Sequence, residues 1–392
     1  MTLGRLGVQG HRSNPIGMNK ENTVNRLVGC RCLFAAVFAV LASLSVYAQE
    51  PLKPEAGNTL PVNQVIATIQ ISTAVGNEYQ GYFGLAVTPD NKYLYVTAGS
   101  INALYTVDAA TNSIIGNAIA TSNNPQLIAV TPNGKTLYIA DVVGNNMQGI
   151  DGPGALTVVK NVSTTHPAFE ETVQNLGQWP YALAINNQGT LIYIANYVSN
   201  FISVFDIKEN QLLPVPLLSG NGPVSIAFTP NGKYAYVCNS ADNTVMAIDT
   251  AKGVIVGSPI TVGTFPGSVV IAPNGKKAYV RNLGSGTESV IDTATNTVSS
   301  TITVSTAAFS GIHDQEAVTP DGKYLYTPVY PGMVVMVSTE ADSVVGTPLT
   351  NFDTPDAIAI APDGKRAYIV DDSTGILTVL NITGKMVTPS AP

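Results

Sequence analysis

The chain has 392 residues, only 11% of them charged, with 35 Gly, 25 Pro and a formal net charge of −7. Short strands joined by tight turns would produce that balance. The acidic excess argues against a nucleic-acid partner, whose phosphates would be repelled.

At the N-terminus, Lys20, Arg26 and Arg31 precede an uncharged apolar run at 33–46, and Val46 and Ala48 are small. This order predicts a secretory signal peptide over 1–48, cut near Ala48, with Met18 as an alternative start. The run is too short to cross a membrane comfortably. A mature chain of 49–392 carries 14 basic against 25 acidic residues, a net −11, and keeps Cys238 as its single thiol. An exported chain with one Cys has no intrachain disulfide, so its core supplies the stability. The mature protein is expected to be periplasmic or secreted, monomeric and without a transmembrane anchor.

A repeat fills the remainder. A Tyr follows a Pro-Asn-Gly or Pro-Asp-Gly type of turn at Tyr95, Tyr138, Tyr193, Tyr236, Tyr279, Tyr326 and Tyr368, so there are seven copies, spaced by 43, 55, 43, 43, 47 and 42 residues. An Asp or Asn stands 13 residues after the Tyr in six of them, Asp108, Asp151, Asp206, Asp249, Asp292 and Asn381, where it is expected to cap its own turn. In the fourth copy, strands A to D read as 224–228, 234–239, 244–249 and 254–262. A period near 40–50 residues with four strands per unit predicts an all-β, seven-bladed β-propeller of four-stranded antiparallel blades. The stretch 64–72 reads as a strand with no partner ahead of it, and the last copy lacks an outer strand. The N-terminal strand is therefore expected to complete the last blade, making 49–392 one closed domain.

The segments "YVTAG", "YVCNS" and "YVRNL", each after such a turn, resemble the YVTN-type β-propeller repeat family over about 64–381. More remotely, the chain resembles lactonase-like seven-bladed propellers. The first resemblance implies a propeller of exported or cell-surface proteins; the second implies a hydrolase as an alternative. No catalytic residue of either group maps onto a matching motif here.

Alternating strands put the A–B and C–D turns at one end of the ring, and the B–C loops and D–A crossovers at the other. The two long spacings are read as long crossovers, at 163–180 and 305–316, each holding one His (His166 and His313). Glu316 replaces a Leu, Ile or Val of the other copies, and Arg281 replaces small or apolar residues at the end of strand B. His313, Asp314, Glu316 and Arg281 thus form the candidate site, and three readings stand. They make a structural ion pair; or a ligand-binding cluster at the channel mouth, helped by Trp179, Tyr197 and Tyr330; or acid–base machinery with His313 or Glu316 as base and Arg281 stabilising an oxyanion. No metal site is expected, His166 with Glu170 and Glu171 being a weak divalent candidate that more often is a solvated acidic loop. Cys238 aligns with Ala140 and Ala195 and reads as a small buried thiol. No cofactor is expected, since haem-attachment and phosphate-binding motifs are missing. The preferred function is recognition of a small molecule, a peptide or an envelope protein at the mouth. A lactonase-type hydrolase and a structural or surface module are the alternatives.

Overall fold

The computed structural model describes residues 63–71, 83–122, 124–142, 152–306 and 315–383. The chain divides into two units, Met1–Glu50 and Pro51–Pro392, and the described residues belong to the second. The expected signal peptide lies outside them, as do His313, Asp314 and Asp151. No helix among the described residues is long and apolar enough to cross a membrane.

Seven antiparallel sheets follow one another; six have strands A to D in sequence order, and the seventh takes its outer strand from the N-terminus. The A strands, from Leu85–Val87 in blade one to Pro355–Ile360 in blade seven, touch each other in turn, and the last touches the first. They line a central channel. In blade three, strand D is split into Gln211–Leu212 and Leu217–Leu218. Pro214 and Pro216 lie between the pieces, and neither can donate to the ladder.

Local chemistry explains each hairpin. In blade four the Thr229 hydroxyl donates to Asn231 Oδ1 at 2.8 Å and accepts the Tyr234 N–H at 3.0 Å. Asn231 Oδ1 also accepts the Lys233 N–H, and Gly232 takes φ +67°, which favours glycine. Thr88, Thr131 and Thr319 repeat the arrangement. At the C–D turn, Asp108 Oδ1 accepts the N–H groups of Ala110 and Thr111, and Asp206, Asp249 and Asp292 do the same for theirs. These Asp residues cap turns.

The repeated Tyr joins neighbouring blades. Its ring is buried in every blade, and in blades one, four and five its hydroxyl reaches the C–D turn of the next blade. Tyr95 donates to Val162 O at 2.6 Å, Tyr236 to Asn296 Oδ1 at 2.5 Å and Tyr279 to Thr339 O at 3.2 Å. Blade seven has no C–D turn of its own, because its outer strand, Gln64–Gln70, arrives from the N-terminus and pairs antiparallel with Ile376–Asn381. Asn63 supplies the missing acceptor. The Tyr326 hydroxyl donates to its Oδ1 at 2.6 Å, and its Nδ2 donates to Met336 Sδ at 3.0 Å.

The expected crossover at 163–180 is corrected. Residues 161–167 form the C–D turn of blade two, Ala168–Val173 is its outer strand, and only 174–179 cross to blade three. The extra length of this copy lies instead in the B–C loop, between Thr136–Asp141 and Ala155–Lys160. Strand C ends at Lys160, which holds the place expected of Asp151. The physical reason is composition: "STTHPAFEETV" alternates enough to make an edge strand, and edge strands tolerate charge.

Asn63→Ala is expected to leave the buried Tyr326 hydroxyl without its acceptor, costing about 1–3 kcal/mol. The check is the urea midpoint, which should fall for Asn63→Ala and recover in part for Asn63→Ala with Tyr326→Phe.

Candidate functional site

Three charged side chains meet between blades five and six. Arg281 sits on strand B of blade five (Lys277–Asn282), and Glu288 lies directly across from it on strand C (Thr287–Asp292). Arg281 Nε is 3.9 Å from Glu288 Oε1, with the two side chains 1% and 0% exposed. Glu316, 3% exposed, enters from the residue before strand A of blade six. Its Oε1 accepts the Thr327 hydroxyl at 2.8 Å. Burial pushes the Glu316 carboxyl well above the carboxylate range; repulsion from and hydrogen bonding with Glu288 add to this, while Arg281 opposes. Burial beside Glu288 thus disfavours a charge on Glu316, and Arg281 works in the opposite sense. Cys238, fully buried on blade four, feels both carboxyls, and burial raises its thiol.

Glu288 and Thr327 were not singled out in the sequence, although the repeat marks both. At the Glu288 place the other copies carry Leu104, Leu156, Ile202, Val245, Val334 and Leu377. At the Thr327 place they carry Val96, Ile139, Ile194, Val237, Val280 and Ile369. Four departures from an apolar pattern thus converge on one spot.

Glu316 also lines the channel cavity of ≈ 240 Å³, together with Gln315, Asp356, Phe83, Tyr181 and residues of the A strands of blades two to five. Arg281 is not among the lining residues. Gln315 narrows this space. Its backbone pairs with blade seven, and its carboxamide exchanges hydrogen bonds with Leu85 N and O of blade one, both at 3.4 Å.

The aromatic candidates sit elsewhere on the same end. Trp179, with φ 56°, and Tyr197 meet edge to face at 5.7 Å, and Tyr197 stacks tilted on Tyr181 at 6.0 Å. Trp179 and Tyr197 pack over the core of blades three to five, while Tyr330 stands 45% exposed on the B–C turn of blade six. The weak metal candidate is dispersed. His166 bonds Thr165 in the C–D turn, Glu170 pairs with Lys160 at 3.4 Å, and Glu171 accepts from Asn210 at 2.7 Å. Among the described residues no group of His, Cys, Asp and Glu is placed to hold a metal ion.

A second buried acid ends strand B of blade two. Asp141 is fully buried, and burial outweighs the nearby Thr157, pushing its carboxyl up to about 8. In blades three to five the same place holds Asn196, Asn239 and Asn282.

Removing the guanidinium with Arg281→Ala should leave the Glu288 charge uncompensated and destabilise by about 3–5 kcal/mol. Converting the cluster to the apolar pattern of its neighbours, Arg281→Ala with Glu288→Val and Glu316→Ile, should restore or exceed the original denaturation midpoint. For Asp141 the folded group titrates above its unfolded value of 3.8, so its contribution is intact below about pH 4 and is lost as pH rises towards 8. Asp141→Asn is expected to raise the melting temperature at pH 8 and leave it nearly unchanged at pH 4.

A family profile described as "Lactonase, 7-bladed beta-propeller" matches residues 102–216. That stretch runs from blade one to blade three and contains none of Arg281, Glu288 or Glu316. No curated protein matches the chain. Among solved structures, "Kuenenia stuttgartiensis Hydrazine Synthase" is similar with a TM-score of 0.66 and 21% identity, over 81% of this chain and 99% of that one. At that identity the likeness is one of fold. The chain is a seven-bladed β-propeller, and its residues 102–216 are similar to the lactonase propeller profile.

Proposed function

We propose that the protein is an exported recognition module that takes a small polar ligand into the channel mouth between the D–A crossovers and B–C loops. The observation that carries this reading is the cavity wall formed by Gln315, Glu316 and Asp356, polar groups that converge with Ser225 and Ser268 on a space of ≈ 240 Å³ whose remaining lining is apolar. A concave, mainly apolar site with a few converging polar groups is the common form of a small-ligand pocket. The volume of this cavity suits a small molecule rather than a peptide.

A lactonase-type reaction is the second reading, drawn from the partial family match. It is weaker on chemical grounds. A general base must be ionised and within reach of its proton, whereas burial beside Glu288 disfavours the ionised form of Glu316. Arg281 is buried behind the wall and does not line the cavity where an oxyanion would form.

Ser225 lines the cavity and accepts the Val269 N–H at 3.1 Å, and blade two carries Leu127 at the same register, so Ser225→Leu fills the space at a place where another blade bears Leu. Dialysis against a metabolite extract, followed by mass spectrometry of the retained small molecules, should show a compound held by the wild type and not by Ser225→Leu. Equal retention by both proteins would refute binding in the channel. Across a lactone panel no turnover is expected; hydrolysis abolished by Glu316→Gln would establish the second reading instead.

A further inference from the structure

The sequence holds four Asn-Gly pairs, Asn133-Gly134, Asn221-Gly222, Asn231-Gly232 and Asn274-Gly275. An Asn before Gly is chemically labile, because glycine has no side chain to shield its backbone nitrogen from the neighbouring amide carbon. Reaction requires the Asn side chain to swing over that nitrogen, so hydrogen bonds that fix the side chain suppress it. Three of the pairs lie exposed in the A–B turns of blades two, four and five, in the segments "TPNGK", "TPNGK" and "APNGK".

These turns differ in one residue, and that residue is a tether. In blades two and four the Thr131 and Thr229 hydroxyls donate to Asn133 Oδ1 at 2.7 Å and Asn231 Oδ1 at 2.8 Å. Each Oδ1 also accepts the N–H of Lys135 or Lys233 at 3.0 Å. The same hydroxyls accept the Thr136 and Tyr234 N–H groups, which ties the Asn side chain to the start of strand B. Blade five has Ala272 at this place, and among the described residues Asn274 Oδ1 accepts only the Lys276 N–H, at 2.9 Å. The reacting nitrogen is held alike in all three turns: Gly134, Gly232 and Gly275 donate to the carbonyl three residues earlier at 2.8, 2.8 and 2.7 Å. In the fourth pair both reacting groups are held, since Asn221 Nδ2 donates to Asp242 Oδ1 at 2.9 Å and the Gly222 N–H to Asn200 Oδ1 at 2.8 Å. Asn274 has the fewest bonds to break, and a group held by fewer bonds opens more often.

We propose that Asn274 is a spontaneous deamidation site, converting to aspartate ahead of the other three. Once solvent takes the Gly275 amide proton, the nitrogen bonds to Asn274 Cγ, and the Cγ–Nδ2 bond breaks to release ammonia. Water then adds to Cγ of the cyclic imide and breaks the new Cγ–N bond, which leaves a carboxylate side chain. The fold already carries that product. Blade seven has "APDGK" at 361–365, the same segment with Asp for Asn. There Asp363 Oδ1 accepts the Lys365 N–H at 3.0 Å, and Gly364 takes φ +69° where Gly275 takes +71°. Lys365 Nζ lies 3.6 Å from Asp363 Oδ2, so a carboxylate at 274 gives Lys276 the same partner. Opening the imide at its main-chain carbonyl would instead route the backbone through the side chain and lengthen a tight turn.

The test is timed incubation of the purified protein in mildly alkaline buffer, with amide-to-acid conversion at each Asn read by peptide mass spectrometry. In the folded protein Asn274 should convert about fivefold faster than Asn133 or Asn231, the factor that one hydrogen bond contributes. Ala272→Thr should slow Asn274 to the rate of Asn231. Thr229→Ala should raise Asn231 to the rate of Asn274 while leaving Asn274 unchanged. Both substitutions exchange residues that other blades carry at this place. In guanidinium-unfolded protein the three turn sites should react at similar rates, because their neighbours in sequence match. Equal or slower conversion of Asn274 in the folded protein would overturn the proposal. So would the same ranking in the unfolded chain, or an Ala272→Thr variant that converts as fast as the wild type.

Discussion

Each blade is a four-stranded sheet whose two faces are apolar, and no blade covers its own faces. Only the neighbouring blades can do so, and only a ring leaves no face bare. The fold therefore depends on one repeated contact: the Tyr ring buried between sheets, its hydroxyl in blades one, four and five tied to the turn of the next blade. Tyr95, Tyr236 and Tyr279 find backbone or side-chain acceptors in complete C–D turns. The seam has no such turn, and Asn63 takes its place. Closing the circle with a strand from the other end of the chain joins the first and last strands, so loss of the seam would expose two faces at once.

The same requirement explains why the ionic cluster stands out. Positions between blades must present an apolar surface that matches the next blade, and six copies do so at each of the places of Glu288, Glu316 and Thr327. Two carboxyls and a guanidinium in that layer are stable only as a set, with the Thr327 hydroxyl completing the arrangement. The cluster is buried on its Arg281 side and reaches the cavity on its Glu316 side. It joins the structural body of the ring to its functional opening.

Function gathers at one end because the two ends have different duties. The A–B and C–D turns bear the Thr, Asn, Asp and Gly residues that make the hairpins, and the Lys side chains that keep this end solvated. The other end is released from that constraint. The long B–C loop of blade two, the long crossover into blade six, the aromatic group around Trp179 and the acidic side chains all accumulate there.

The sequence by itself determined the architecture: seven copies, four strands in each, tight turns capped by Asp and Asn, and closure by an N-terminal strand. These are local signals, carried by turn chemistry and by alternation along single strands. It also marked Arg281 and Glu316 as misfits in an apolar pattern. Where the extra residues of blade two belong was decided by tertiary structure, because an edge strand such as Ala168–Val173 has too weak a pattern to be told from a loop. The company of the misfits was decided there too. Glu288 is seven residues from Arg281 and pairs with it only through strand register, and Glu316 reaches both only because blade six packs on blade five. Contacts between blades depend on how faces stack around a circle, and no single repeat contains that information.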